Sequence, residues 1–177
     1  MRKTSLVSGI LLLMACNNGQ TSASVEAKPP ASESEPTYAY TPKDKPNWEM
    51  GDPKNIAFVL NGLKKYETNR IDELSADFAD SVWFAGDGFQ FEGPKDSLLK
   101  IFKKQWENTK SITIEMHDWE AVHGKTNNED WVSMWYKETV TDKNGKVDSV
   151  MSMDDIRIVN GKITIIDSKQ RRWPEKK

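Results

Sequence analysis

Ser152, Asp154, Ile156 and Ile158 stand at alternate positions, so on an extended strand all four share one face. A carboxyl group among isoleucines loses hydration, which raises its pKa and suits it to accept or release a proton. Asp154 is therefore the first candidate for acid–base chemistry. Other chemistries find no support. His117 and His123 lack metal-ligand spacing and Cys16 is the single cysteine, so no metal site is expected. Gly86-Asp87-Gly88 lacks the strand-before, helix-after context of a phosphate loop, and no serine has an identifiable partner base. No cofactor is expected.

The charge balance narrows the partners. Twenty-five basic and 27 acidic residues give a net charge of −2, which argues against nucleic acid, a ligand that calls for a basic face. Hydrophobic residues make up 37%, below the roughly 45–50% of a packed globule, so part of the chain lies outside any core.

The elements that must hold the Asp154 face follow from periodicity. Asp52-Pro53 is an N-cap followed by proline at the first helical position, and Ile56, Val59, Leu60, Leu63 and Tyr66 mark one helix face. After Asn69-Arg70, Ile71, Leu74 and Phe78 predict a short second helix, and residues 81–85 a strand. Glycines 86, 88 and 93 surround an irregular hairpin with Phe89 and Phe91. Pro94 opens a third helix that turns Leu98, Leu99, Phe102 and Trp106 inward. Ile112, Ile114 and Met116 then alternate, but Trp119 and Ala121 fall in the opposite phase, which predicts a β-bulge near His117-Asp118. Strands over 131–141, 147–159 and 162–170 follow, joined through Asp142-Lys143-Asn144-Gly145 and Asn160-Gly161. The fold class is α+β, with three N-terminal helices packed in a strongly curved, mostly antiparallel sheet.

The first residues have another character. Arg2 and Lys3 precede the apolar run from Leu6 to Met14, too short to span a bilayer. Leu13-Met14-Ala15-Cys16 resembles the lipobox of bacterial lipoproteins, with a bulky Met14 at −2. The resemblance implies a signal peptide over 1–15 and lipidation (palmitate among the acyl groups) of Cys16. That places the protein in the bacterial cell envelope, anchored to a membrane and facing the periplasm. Residues 16–47 read as lipidated cysteine plus disordered tether, holding five of eight prolines and almost no large aliphatics. The folded domain spans 48–173, where all seven tryptophans lie, and 174–177 form a tail.

Three phrases carry a further resemblance: residues 78–84 (Phe-Ala-Asp-Ser-Val-Trp-Phe), Glu92-Gly93-Pro94-Lys95 opening a helix, and residues 154–163 ending Asn160-Gly161-Lys162-Ile163. In this order they resemble the SnoaL-like branch of the nuclear-transport-factor-2-like superfamily, over roughly residues 53–173. The resemblance implies a cone-shaped, cystatin-like α+β barrel with an apolar cavity open at one end. It places Asp154 and Asp80 as candidate catalytic residues, and Trp83, Phe84, Ile156, Ile158 and Ser152 as candidate pocket residues. For each aspartate the alternative is a structural role, at the cone's rim for Asp154 and at a turn for Asp80. Phe84 departs from the histidine that many such enzymes carry nearby, which weakens a catalytic reading.

Trp131 and Trp135 share one strand face, with Trp119 joining from the neighbouring strand. Dimer interface, core and ligand-stacking wall are the open readings for this face. The leading functional expectation is a lipid-anchored, non-catalytic module that binds a small apolar molecule or supports an assembly. The alternatives are a cofactor-independent isomerase or dehydratase using a pocket carboxylate as general base, and a structural homodimer with a filled pocket.

Overall fold

The computed structural model describes residues 37–44 and 47–172. Cys16, the signal segment and most of the tether lie outside the described residues. Residues from Pro42 onward form one compact unit, and residues 37–41 belong to another.

Strand β1 (Trp48–Met50) leads into helix α1 (Pro53–Glu67), a 3₁₀ helix (Ile71–Ala76), β2 (Phe78–Gly86) and β3 (Phe89–Pro94). Helix α2 (Lys95–Glu107) and four long strands follow: β4 (Thr109–Gly124), β5 (Glu129–Asp142), β6 (Val147–Val159) and β7 (Lys162–Arg171). Asp52 caps α1, its side chain accepting from the Lys54 amide at 2.8 Å, and Pro53 fills the first turn. The seven strands make one curved sheet in the order β1-β4-β5-β6-β7-β2-β3, antiparallel except where β2 runs parallel to β7.

The fold class agrees with the sequence reading, with two corrections. The second helix is a six-residue 3₁₀ segment, and Phe78 opens β2 instead of extending a helix. Six residues are too few to offset the cost of nucleating an α-helix. Strand β1 was not expected. It pairs with the far end of β4, Met50 opposite Val122, and the chain leaves it through Gly51. A Cβ on Gly51 would lie 2.9 Å from the Val122 amide nitrogen, so only glycine permits this approach.

Turns and bulges set the phase of each strand. Asn160 and Gly161 both adopt positive φ (51° and 70°), the conformation of a two-residue hairpin turn. In β4, Met116 faces Tyr136 and Asp118 faces Trp135, leaving His117 as the extra, exposed residue of the expected bulge. Beyond it Trp119 lies opposite Met134, on the inner face and 45% exposed. Trp131 and Trp135 point to the outer face, so Trp119 does not join them.

The core lies between the inner sheet face and the helices. Val59 of α1, Ile71 and Leu74 of the 3₁₀ segment and Leu98 and Leu99 of α2 pack with Val132, Met134, Ile156, Ile158 and Ile163 of the sheet. Among the described residues no helix is long and apolar enough to cross a membrane.

Candidate active site

Between α1, α2 and the inner face of the sheet a cavity of about 180 Å³ remains. Its apolar part is lined by residues such as Val59, Leu74, Phe78, Ile156 and Ile163. Phe84 and Phe102 form an aromatic side, their rings edge to face with centroids 5.8 Å apart. Gln105 and Gln170, both exposed, mark the side nearest solvent.

A polar strip crosses this apolar lining. Tyr136 and Glu138 are successive inward positions of β5, and Asp154 lies on β6 opposite Met134. The Tyr136 hydroxyl donates to Asp154 Oδ2 at 2.7 Å. Asp154 Oδ1 is buried without a hydrogen-bond partner among the described residues. The Tyr66 hydroxyl donates to Glu138 Oε1 at 3.2 Å and accepts from Gln105 Nε2 at 2.9 Å. Trp106 Nε1 donates to the Tyr66 carbonyl at 3.2 Å, fixing the end of α1 against α2.

Burial controls the titration of these groups. Loss of hydration raises the Asp154 pKa above the usual aspartate value, a push that the Asp155 charge reinforces; the Ser168 hydroxyl on β7 across from Asp154, the Tyr136 hydrogen bond and the charge on Lys169 act in the opposite direction. Glu138 is raised as well, first by desolvation and further by Asp154, against the Tyr66 hydrogen bond. Tyr136 and Tyr66 are both raised, mainly by burial and then by these carboxyl groups, so they stay protonated as donors.

The other sequence candidates occupy different places. Asp80 is fully exposed and pairs with Lys95 at 3.1 Å, because it falls in the irregular stretch of β2 between the cavity-lining Phe78 and Trp83. Trp83 faces Ile165 on the outer side of the sheet, one residue out of phase with the cavity-lining Phe84. Ile158 and Ser152 are buried on the Asp154 face but do not border the cavity; Ile158 belongs to the packed core. His117 sits in the bulge, and His123 Nδ1 lies 3.0 Å from Asp130 Oδ1 on β5. No group of described residues has the composition of a metal site.

Sequence reasoning missed Tyr66, Gln105, Tyr136, Glu138 and Ser168. Tyr136 and Glu138 carried a usable signal, since they continue the inward phase of Val132 and Met134. An ionisable side chain in the apolar phase of a buried strand marks a site.

Asp154→Asn is expected to stabilise the fold. A carboxyl whose folded pKa is raised costs nothing below its unfolded pKa, near 3.9, and costs progressively more as pH rises toward the folded value. The variant should gain about 1–2 kcal/mol near neutral pH, with the gain vanishing in acid, as read by urea denaturation. A loss of stability at neutral pH would contradict the burial argument.

No family model matches the sequence, and no curated protein matches it significantly. Solved structures do. An epoxide hydrolase of the LEH-like type from M. tuberculosis superposes with a TM-score of 0.57 at 13% identity, covering 67% of this chain and 84% of its own. An NTF2-like protein of unknown function from Exiguobacterium sp. 255-15 gives 0.54 at 16% identity, covering 66% and 99%. A ketosteroid isomerase-like protein from Erwinia carotovora atroseptica gives 0.53 at 16% identity, covering 67% and 94%. The fold is thus shared with proteins of differing descriptions, and the chain has the nuclear-transport-factor-2-like fold.

Proposed function

We propose that this protein is a lipid-anchored envelope enzyme whose cup takes up a small, largely apolar molecule on which Asp154 moves a proton without a cofactor. The observation that carries this reading is the Asp154 carboxyl, 5% exposed in the wall of an apolar cavity, with Tyr136 on one oxygen and nothing on the other. It shifts the balance from non-catalytic binding toward the general-base alternative, and the open cavity disfavours a filled, purely structural pocket. Two of the similar structures are described as an epoxide hydrolase and as ketosteroid isomerase-like, which supports proton-transfer chemistry in such a cup.

In this reading Asp154, once ionised, takes a proton from a carbon next to a carbonyl. The free N–H of the Gln105 amide stabilises the resulting enolate oxygen. The proton then returns to another carbon in an isomerisation, or passes to the departing hydroxyl, which leaves as water in a dehydration. Burial makes the ionised Asp154 a stronger base than a solvated carboxylate. Size limits the substrate: an apolar cavity of ~150 Å³ holds benzene. About 180 Å³ therefore suits one ring or its open-chain equivalent and falls well short of a four-ring steroid.

The outer sheet face supports a homodimer. Trp131, Trp135, Met151, Met153 and Ile165 share this face and are only half-buried, a composition suited to an interface centre.

Small cyclic ketones incubated with the protein in D₂O should incorporate deuterium next to the carbonyl, followed by NMR. Asp154→Asn should reduce the rate by roughly 10²–10⁴-fold. Ketone binding with no exchange above background would return the protein to a pure binding role. For the anchor, Cys16→Ser should abolish fatty-acid labelling and membrane association in a bacterial host; retained labelling would end that part of the proposal. Sedimentation of residues 42–177 should give twice the protomer mass, and Trp135→Glu should halve it. A monomeric wild type would leave the tryptophan face without this role.

A further inference from the structure

We propose that the cavity ligand carries an ammonium group, so that the substrate class is compact organic amines whose nitrogen sits between Glu138 and Asp154. This deepens the preceding proposal and rests on its reading of the cup as the ligand site.

The charge inventory of the wall leads there. Two carboxyl side chains line the cavity, and no lysine, arginine or histidine does. Lysines on two of the surrounding elements, β7 and α1, pair with carboxylates outside the cavity lining. Lys169 Nζ lies 2.9 Å from Asp155 Oδ2 and 2.8 Å from Asp167 Oδ2, and Lys65 Nζ lies 2.5 Å from Asp77 Oδ2. Each cavity carboxyl receives a neutral hydroxyl instead, Tyr136 on Asp154 and Tyr66 on Glu138, and Asp154 Oδ1 has no partner. Hydroxyl donors only partly offset the cost of ionising two buried carboxyls, so without a cation their protonated forms are favoured.

The remaining lining suits the same occupant. Tyr66, Phe84, Phe102 and Tyr136 present rings to the space, and ring faces attract a cation by cation–π interaction. A neutral ligand would leave both carboxyls unpaired, and an anion would be repelled by them. An ammonium would favour their ionised forms, so the base needed for proton transfer would appear when the substrate arrives. The groups that bear on this titration are Tyr66 from α1, Tyr136 from β5 itself and, around Asp154, Ser168, Asp155 and Lys169. The β4 residue opposite Glu138 is the apolar Ile114, and α2 contributes the uncharged Gln105.

Three probes of one shape test it: benzylamine (a cation), benzyl alcohol and benzoate. They would be titrated into the protein by calorimetry and by protein-observed NMR at about pH 7.5, where the amine is charged. Benzylammonium should bind roughly tenfold or more tightly than benzyl alcohol, and benzoate should not bind. The advantage should shrink as pH falls and protons compete for the carboxyls, a readout that needs no variant. Glu138→Gln should remove most of the preference while benzyl alcohol binding persists, with Asp154→Asn as a second variant. Glu120→Gln, exposed and away from the cavity, should leave the preference intact. Equal or tighter binding of benzyl alcohol would overturn the amine assignment and leave proton transfer standing. Preference for the cation without ketone exchange would do the reverse. Saturation by none of the probes at millimolar concentration would overturn both.

Discussion

The structure depends on a mismatch of length between strands and helices. Strand β4 has 16 residues and β5 has 14, about 45–55 Å if straight, whereas the 15 residues of α1 span only about 22 Å. A flat sheet of that length would leave most of its inner face uncovered. Curving the sheet around α1, the 3₁₀ segment and α2 buries the apolar residues of β5, β6 and β7 on a small helical layer. The curvature closes the core at one side and leaves the cup at the other.

What fills the space short of closure is polar by sequence. Inward positions of β5 run Val132, Met134, Tyr136, Glu138, from fully buried aliphatic to carboxylate within four alternate residues. On β6 the inward series runs from Ile158 and Ile156 to Asp154 and Ser152. The two series lie antiparallel, so their polar ends coincide, with Tyr136 directly opposite Ser152. Hydrocarbon in place of these groups would stabilise the domain, because burying carboxyls costs free energy that hydroxyl donors only partly offset. Their presence in the lining of this cavity is the pattern of a site that trades stability for chemistry.

Much of this was legible in the sequence. Capping at Asp52-Pro53, the apolar faces of α1 and α2, the bulge at His117 and the Asn160-Gly161 hairpin are local signals, and each appears in the fold. Alternation also placed Asp154 on the buried face. Alternation does not separate the residues of that face that border the void from those that do not: Ile156 lines the cavity, whereas Ile158 and Ser152 share its phase and do not. That distinction depends on where helices end in space, which is a tertiary property. Trp83 failed for a different reason. From Phe78 to Trp83 strand β2 advances five positions while β7 advances two, from Ile163 to Ile165, and this irregularity resets the phase in a way that short-range pattern cannot show.

Phase control by irregularity also explains the asymmetry of the two sheet faces. Without the extra residue at His117, the second half of β4 would invert. Ala121, now buried against Val132, would turn outward, and Val122 and Glu120 would turn inward. A carboxylate would then enter the core, beside Val132 and Ala121, on the sheet face that packs against α1. The bulge therefore does two things with one residue. It helps bend a long strand, and it confines inward-facing carboxyls to the end of the sheet where tyrosines and the cavity can accommodate them. An acid on the inner face is tolerated only where the cup is open, which is why the position of Glu138 and Asp154 carries functional meaning and that of the many outer acids does not.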